Sequence, residues 1–263
     1  MTFKVSTVGD ISPKFRDLTV EIFDNVSRSM RGFPPECYLF VCKTDEDCLK
    51  IKSQRINDFT KNHGLGYIRL PNVVGLAEAA LYDSPEVVVY EYGVKSFLRT
   101  LEDYEGLYSH EGGHLTYYFN NNLLSVRKAM PLLTFCVDRV KEDYEAEKKA
   151  IEADYYTACF SRQYTTIVNQ FRMPEVISPI SFMDKLSLMG VHAAFMKSEK
   201  PKIEQKQKIQ RAWNVFSRVN KSEISKSLLQ SDELKESPGL FGDERFFKDF
   251  IFRKHYGWNI SFR

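Results

Sequence analysis

Residues 87–122 constrain the fold more than any other part of this chain. VVVYEY at 87–92 follows a Ser84-Pro85 turn and is the strongest strand signal in the sequence. From Gly93 to Asn120 the apolar period changes from two to 3.6. Leu98, Leu101, Tyr108, Leu115 and Phe119 share one helical face, and Asn120-Asn121-Asn122 ends the run. The pattern predicts one strand feeding one amphipathic helix, with His110, Glu111, Gly112, Gly113 and His114 in its closing turns. Residues four apart lie one above the other on a helix. His110 and His114 therefore offer two imidazoles to one metal ion. Glu111, turned about 100° away, can reach a water on that ion without competing for it.

The chain can bury a sizeable interior around such a unit. Its 263 residues suffice for one large domain or two small ones, and 43% hydrophobic residues give a globular composition. A net charge of +2 supplies no field that would select nucleic acid or an acidic substrate. Residues 197–226 are rich in Lys and Arg, but without interleaved aromatics they read as a solvated helix face, and no nucleic-acid partner is expected. The first fifteen residues carry charges and a proline, unlike a signal peptide. No apolar run approaches the ~18 residues a membrane helix needs. The expectation is a cytoplasmic protein with no membrane insertion. The five cysteines contain no Cys-x-x-Cys pair, and Cys42 and Cys136 in apolar runs read as buried thiols.

Periodicity predicts helices over 15–30 and 49–63, strands over 38–42, 66–70 and 76–82, and a helical stretch over 132–172, continuous or with one break, closed by Pro174. Further helices are expected over 182–196 and from Ile203 onward. The fold class expected is α+β: a small mixed sheet packed on the motif helix and on a second, acidic helix. Residues 1–174 would form the domain carrying the motif, and 175–263 a helical C-terminal subdomain covering one side of its cleft.

Two histidines alone do not hold a catalytic zinc ion, whose usual site has three protein ligands. The acidic helix offers Asp138, Glu142, Asp143, Glu145, Glu147, Glu152 and Asp154. Asp143 has an argument of its own, because Glu147 one turn on is placed to hydrogen-bond a ligand histidine. The glycine pair is also informative. Each glycine costs a helix interior about 1 kcal/mol relative to alanine, so Gly112-Gly113 predicts that a second helix or a substrate approaches the backbone closely.

The order strand, helix, His110-Glu111-x-x-His114, short connection and acidic helix resembles the zincin metallopeptidases, within the branch whose third ligand is a glutamate. The resemblance covers roughly residues 66–172. One group of that branch carries Glu-x-x-Ala-Asp on the second helix, which this chain lacks. Another opens the helix with Glu-Asp, and Glu142-Asp143 matches that form. The resemblance implies one zinc ion held by His110, His114 and Glu142, with Asp143 and then Glu145 as alternatives. It implies zinc-dependent hydrolysis of a peptide or protein substrate, with Glu111 as general base. Donors for the developing oxyanion would come from Tyr155, Tyr156, Arg162 or His192, the last of which also reads as a core histidine. The strand at 87–92 or at 76–82 would border the cleft and pair with an extended peptide. Two other readings stay open: a zinc-binding scaffold that is latent or regulated by a partner, and an interaction protein with a chance motif.

Overall fold

The computed structural model describes residues 2–64, 76–98, 100–125, 132–155 and 179–217. It is a mixed α+β structure around a four-stranded sheet of order β1-β2-β4-β3. β1 (Thr2–Val8), β2 (Glu36–Cys42) and β4 (Pro85–Tyr90) run parallel, and β3 (Ala77–Leu81) is an antiparallel edge strand. β2 and β4 are the inner strands. Their runs Tyr38-Leu39-Phe40-Val41-Cys42 and Val87-Val88-Val89 are apolar on both faces, as strands covered from both sides require.

Helix α1 (Pro13–Ser29) begins with proline in its first turn, where the missing N–H costs nothing. Its Phe15, Ile22, Phe23 and Val26 join Leu39, Val41, Val87 and Val89 in the main core. Helix α2 (Asp45–Asn62), opened by a Thr44–Asp47 capping box, lies over the other face, where Cys42, Cys48 and Val88 pack. Cys37, Cys42 and Cys48 are buried free thiols.

Several expectations need correction. β1 was not anticipated, although its Thr, Val and Phe content suits a strand. The 87–92 strand stops at Tyr90, and Glu91 opens a short helix α3 (Glu91–Phe97). There the buried Glu91 carboxylate takes Lys43 Nζ at 3.1 Å, Lys95 Nζ at 2.6 Å and the Ser12 N–H at 3.3 Å. The single long helix is therefore two, because Thr100 and Asp103 form a capping box that starts helix α4 (Leu101–Asn121) afresh. Asn122 in the left-handed conformation ends α4 at the expected Asn run, and with the helix starting at Leu101 both His110 and His114 lie near its middle. Helix α5 (Leu132–Glu152) breaks at a turn, with Asp154 left-handed and the Tyr155 N–H on the Ala150 carbonyl at 2.9 Å, and the remainder of the expected helix to 172 lies outside the described residues. Helices α6 (Pro179–Lys197) and α7 (Ile203–Ser217) complete the described chain, and the strand expected at 66–70 lies outside it.

α4 is the hub. It packs on β3 and α1 at one side and on α5 at the other, and α5 in turn packs on α6. No helix among the described residues is long and apolar enough to cross a membrane.

A candidate metal centre between two helices

The glycine pair positions the site. A Cβ added at Gly113 would land on the Ala146 backbone carbonyl of α5, so only glycine lets the two helix backbones come this close. Gly112 faces the other way, against Val26, Phe33 and Met30 at α1. Thr116 satisfies its hydroxyl within the helix by donating to the Gly112 carbonyl at 2.8 Å.

At this seam His110, His114 and Asp143 converge, and the three are 3%, 4% and 1% exposed. His110 Nε2 and His114 Nε2 are 3.0 Å apart. Asp143 Oδ1 stands 3.3 Å from the first and 3.4 Å from the second. Zinc–ligand bonds of about 2.0–2.2 Å in a tetrahedron place neighbouring ligand atoms roughly 3.3–3.5 Å apart. The two edges to Asp143 are of that size, and the His110–His114 edge, at 3.0 Å, is shorter. The donor set also fits a cation: an aspartate oxygen and two imidazole nitrogens, buried and turned on one another, need positive charge between them, which a proton on His110 supplies in the absence of a metal ion. The buried His/His/Asp group could hold a metal ion.

The surrounding groups tune the triangle. Glu147 Oε2 sits 2.8 Å from His110 Nδ1, where it accepts that N–H and leaves Nε2 to face the cluster. Burial opposes charge on His110, but hydrogen bonds to Asp143 and Glu147 outweigh it and lift its pKa to about 10. Burial dominates at His114 and lowers it to about 4. Its ring stacks on Tyr118, with centroids 5.5 Å apart, and its Nδ1 has no hydrogen-bond partner among the described residues. Burial would raise Asp143, yet Arg139 and both histidines hold it well below the usual carboxylate range.

Glu111, 8% exposed, reaches β3, where it accepts the Ala79 N–H at 2.8 Å. Burial pushes its pKa up to about 7, against the pull of His110 and of that amide.

The carboxylate order expected from sequence changes here. Asp143, weighed second, is the one that meets the histidines. Glu142, weighed first, turns aside and accepts the Tyr118 hydroxyl at 3.1 Å. Glu145, the third, lies in a polar groove of about 380 Å³ with Lys141, Lys149 and Asn121, one side of α5 away. Consecutive residues on a helix diverge by about 100°, so only one of such neighbours can enter the seam. Tyr155 packs against the main core beside α1, and His192 Nε2 meets Gln210 Oε1 of α7 at 2.9 Å. Neither of these two oxyanion candidates joins the triangle. Tyr156 and Arg162 lie outside the described residues.

Sequence reasoning missed Arg139, Ser187 and Tyr118. Arg139 stands four residues before Asp143, the spacing of a helical ion pair, and that signal was available. Ser187 carried none. No family model, no curated protein and no solved structure matches the chain.

Proposed function

We propose that the protein is a zinc-dependent peptidase of zincin-like design, with His110, His114 and Asp143 as metal ligands and Glu111 as general base. The observation that carries this reading is the buried triangle of ligand atoms at 3.0–3.4 Å, with Glu111 one residue from the first ligand. Zinc in such a site would polarise a carbonyl and lower the pKa of a bound water to about 7. Glu111, with its own pKa near 7, suits taking the proton of the attacking water and passing it to the leaving amine.

The sheet edge supports a peptide substrate. β3 pairs with β4 as Ala77↔Val89, Ala79↔Val87 and Leu81↔Pro85, and Tyr90 donates to the Leu76 carbonyl. The alternation of antiparallel pairing turns the backbone groups of Ala77, Ala79 and Leu81 outward. An extended peptide adding to this edge would pass beside Glu111.

The second reading, a zinc site held latent until a partner opens it, is favoured by what already occupies that edge. Leu81 donates to Ser125 Oγ at 2.7 Å and accepts the Ser125 N–H at 2.7 Å, while Glu111 takes the Ala79 N–H. Zinc analysis of the purified chain, followed by digestion of a peptide library, tests both readings. Glu111→Gln is expected to keep its zinc and to lose about 10²–10⁴ of any hydrolytic rate. Zinc bound without hydrolysis in the wild type selects the latent scaffold. A chain that takes up no zinc at micromolar concentration overturns both and leaves a chance motif.

A further inference from the structure

Asp143 is gripped on the oxygen that does not face the histidines. Ser187 of α6 donates its hydroxyl to Asp143 Oδ2 at 3.0 Å, and Arg139 Nε lies 3.0 Å from the same oxygen as an ion pair. The grip is closed on itself, because Arg139 Nη2 also donates to Ser187 Oγ at 3.3 Å. Asp143 and Ser187 are buried, and the guanidinium lies at the margin of the site. Ser187 reaches this position because of Gly190, three residues on and so on the same side of α6. A Cβ there would come within 2.9 Å of Asp143 Cβ and closer still to the Val140 carbonyl and Tyr144 N–H. Glycine thus lets α6 lie against the α5 backbone and brings the Ser187 hydroxyl to the carboxylate.

We propose that Arg139 and Ser187 are positioning residues that lock Asp143 so that only Oδ1 reaches the metal, and that this lock sets the site's preference for a four-coordinate ion. The inference rests on the metal reading of the triangle. A carboxylate free to rotate can offer both oxygens, which suits ions that collect six or more oxygen ligands. One whose second oxygen is already hydrogen-bonded and ion-paired offers one donor. With two imidazoles it makes a three-ligand set, the kind that favours zinc over manganese. The helix carrying Ser187 belongs to the part of the chain that the sequence assigns to a separate C-terminal subdomain, so that segment helps to build the site.

The test compares Zn(II) and Mn(II) dissociation constants of the full-length wild type with those of Ser187→Ala, Ser187→Thr, Arg139→Gln and Arg139→Lys. Ser187→Ala and Arg139→Gln are expected to weaken zinc binding about 10–100-fold and to narrow the zinc-to-manganese ratio. Ser187→Thr, which keeps a hydroxyl, is expected to restore both. The Co(II) visible absorption of the substituted protein provides a readout of ligand geometry that loss of packing alone would not move. Circular dichroism confirms that each variant compared is folded, and the two conservative variants keep the test decisive if Arg139→Gln is not. Zinc affinity, metal ratio and Co(II) spectrum all unchanged in folded Ser187→Ala would overturn the lock while leaving the metal site intact. A wild type that takes up no zinc would overturn the site and the lock with it.

Discussion

Helix α4 faces two interiors built on different terms. Toward the sheet it meets α1 through apolar surface: Phe23 stacks on Tyr108 with ring centroids 4.7 Å apart, and Val26, Leu107 and Leu115 fill the space around them. Among the described residues the hydroxyl pair Thr19–Tyr108 at 3.1 Å and the Thr116 hydroxyl against Met30 Sδ at 3.2 Å are polar contacts within it. Toward α5 the same helix meets backbone through Gly113 and then a chain of buried charges, His110, Asp143 and Glu147, with the half-buried Arg139 at its margin. Burial of area is non-directional and tolerates exchange of similar volumes. A buried charge network is stabilising only with every partner in place. The first interior holds the fold together, and the second holds a geometry.

The adjacent glycines give the sharpest contrast. Gly113→Ala is expected to destabilise the chain by about 3 kcal/mol or more and to abolish zinc uptake, because its methyl meets a backbone carbonyl that cannot move aside. Gly112→Ala meets side chains of Val26, Phe33 and Met30 instead. It gains up to about 1 kcal/mol of helix propensity and should change stability by less than about 1.5 kcal/mol. Thermal unfolding with zinc titration decides the matter, and equal effects from the two would break the comparison.

Next in size is the choice of carboxylate. Asp143→Asn is expected to weaken zinc binding by more than about 100-fold, whereas Glu142→Gln, at a carboxylate that accepts from Tyr118 rather than meeting the histidines, should change it by less than about 10-fold. Isothermal titration separates the two, and the reverse order would restore the glutamate of the zincin resemblance.

A smaller effect tests whether buried charge away from the seam also carries a cost. Glu86 on β4 is buried, and burial pushes its pKa up to about 7 against the hydrogen bond from Arg55. Its folded pKa lies above its unfolded one. Its contribution is therefore fully present below about pH 4.5 and is lost as pH rises toward 7. Glu86→Gln should flatten the fall in stability over that window by up to about 3 kcal/mol. Denaturant midpoints at pH 5 and pH 7.5 give the measurement, and an unaltered pH slope would reject the shift. Smallest at the metal site is Phe23→Leu. It should cost about 1–2 kcal/mol of stability and leave zinc affinity unchanged, since Phe23 stacks on Tyr108 on the side of α4 turned away from the seam.

Local rules were enough for much of this molecule. The i, i+4 spacing of His110 and His114, the Thr44–Asp47 and Thr100–Asp103 capping boxes and the Asn122 stop all lie within one or two turns of chain. Hydrogen-bond geometry within a helix fixes them wherever the helix docks. The partner position of Glu147 one turn after Asp143 follows from the same periodicity. The helix break at Leu98–Thr100 was legible too, but the continuous apolar stripe across it outweighed the Thr-x-x-Asp signal.

The sequence by itself determined that two imidazoles and a carboxylate share one helix, that an acidic helix follows, and that the glycine pair needs a close neighbour. Only the tertiary structure decided which carboxylate enters. The rotation of α5 about its own axis is set where Ala146 seats on Gly113, and that seat turns Asp143 inward and Glu142 aside. It also decided that Ser187, 44 residues beyond Asp143, grips the carboxylate from α6. Spacing along a helix is a property of the backbone. Rotation and approach between helices depend on the volumes that meet at the contact, and those are brought together only when the chain folds.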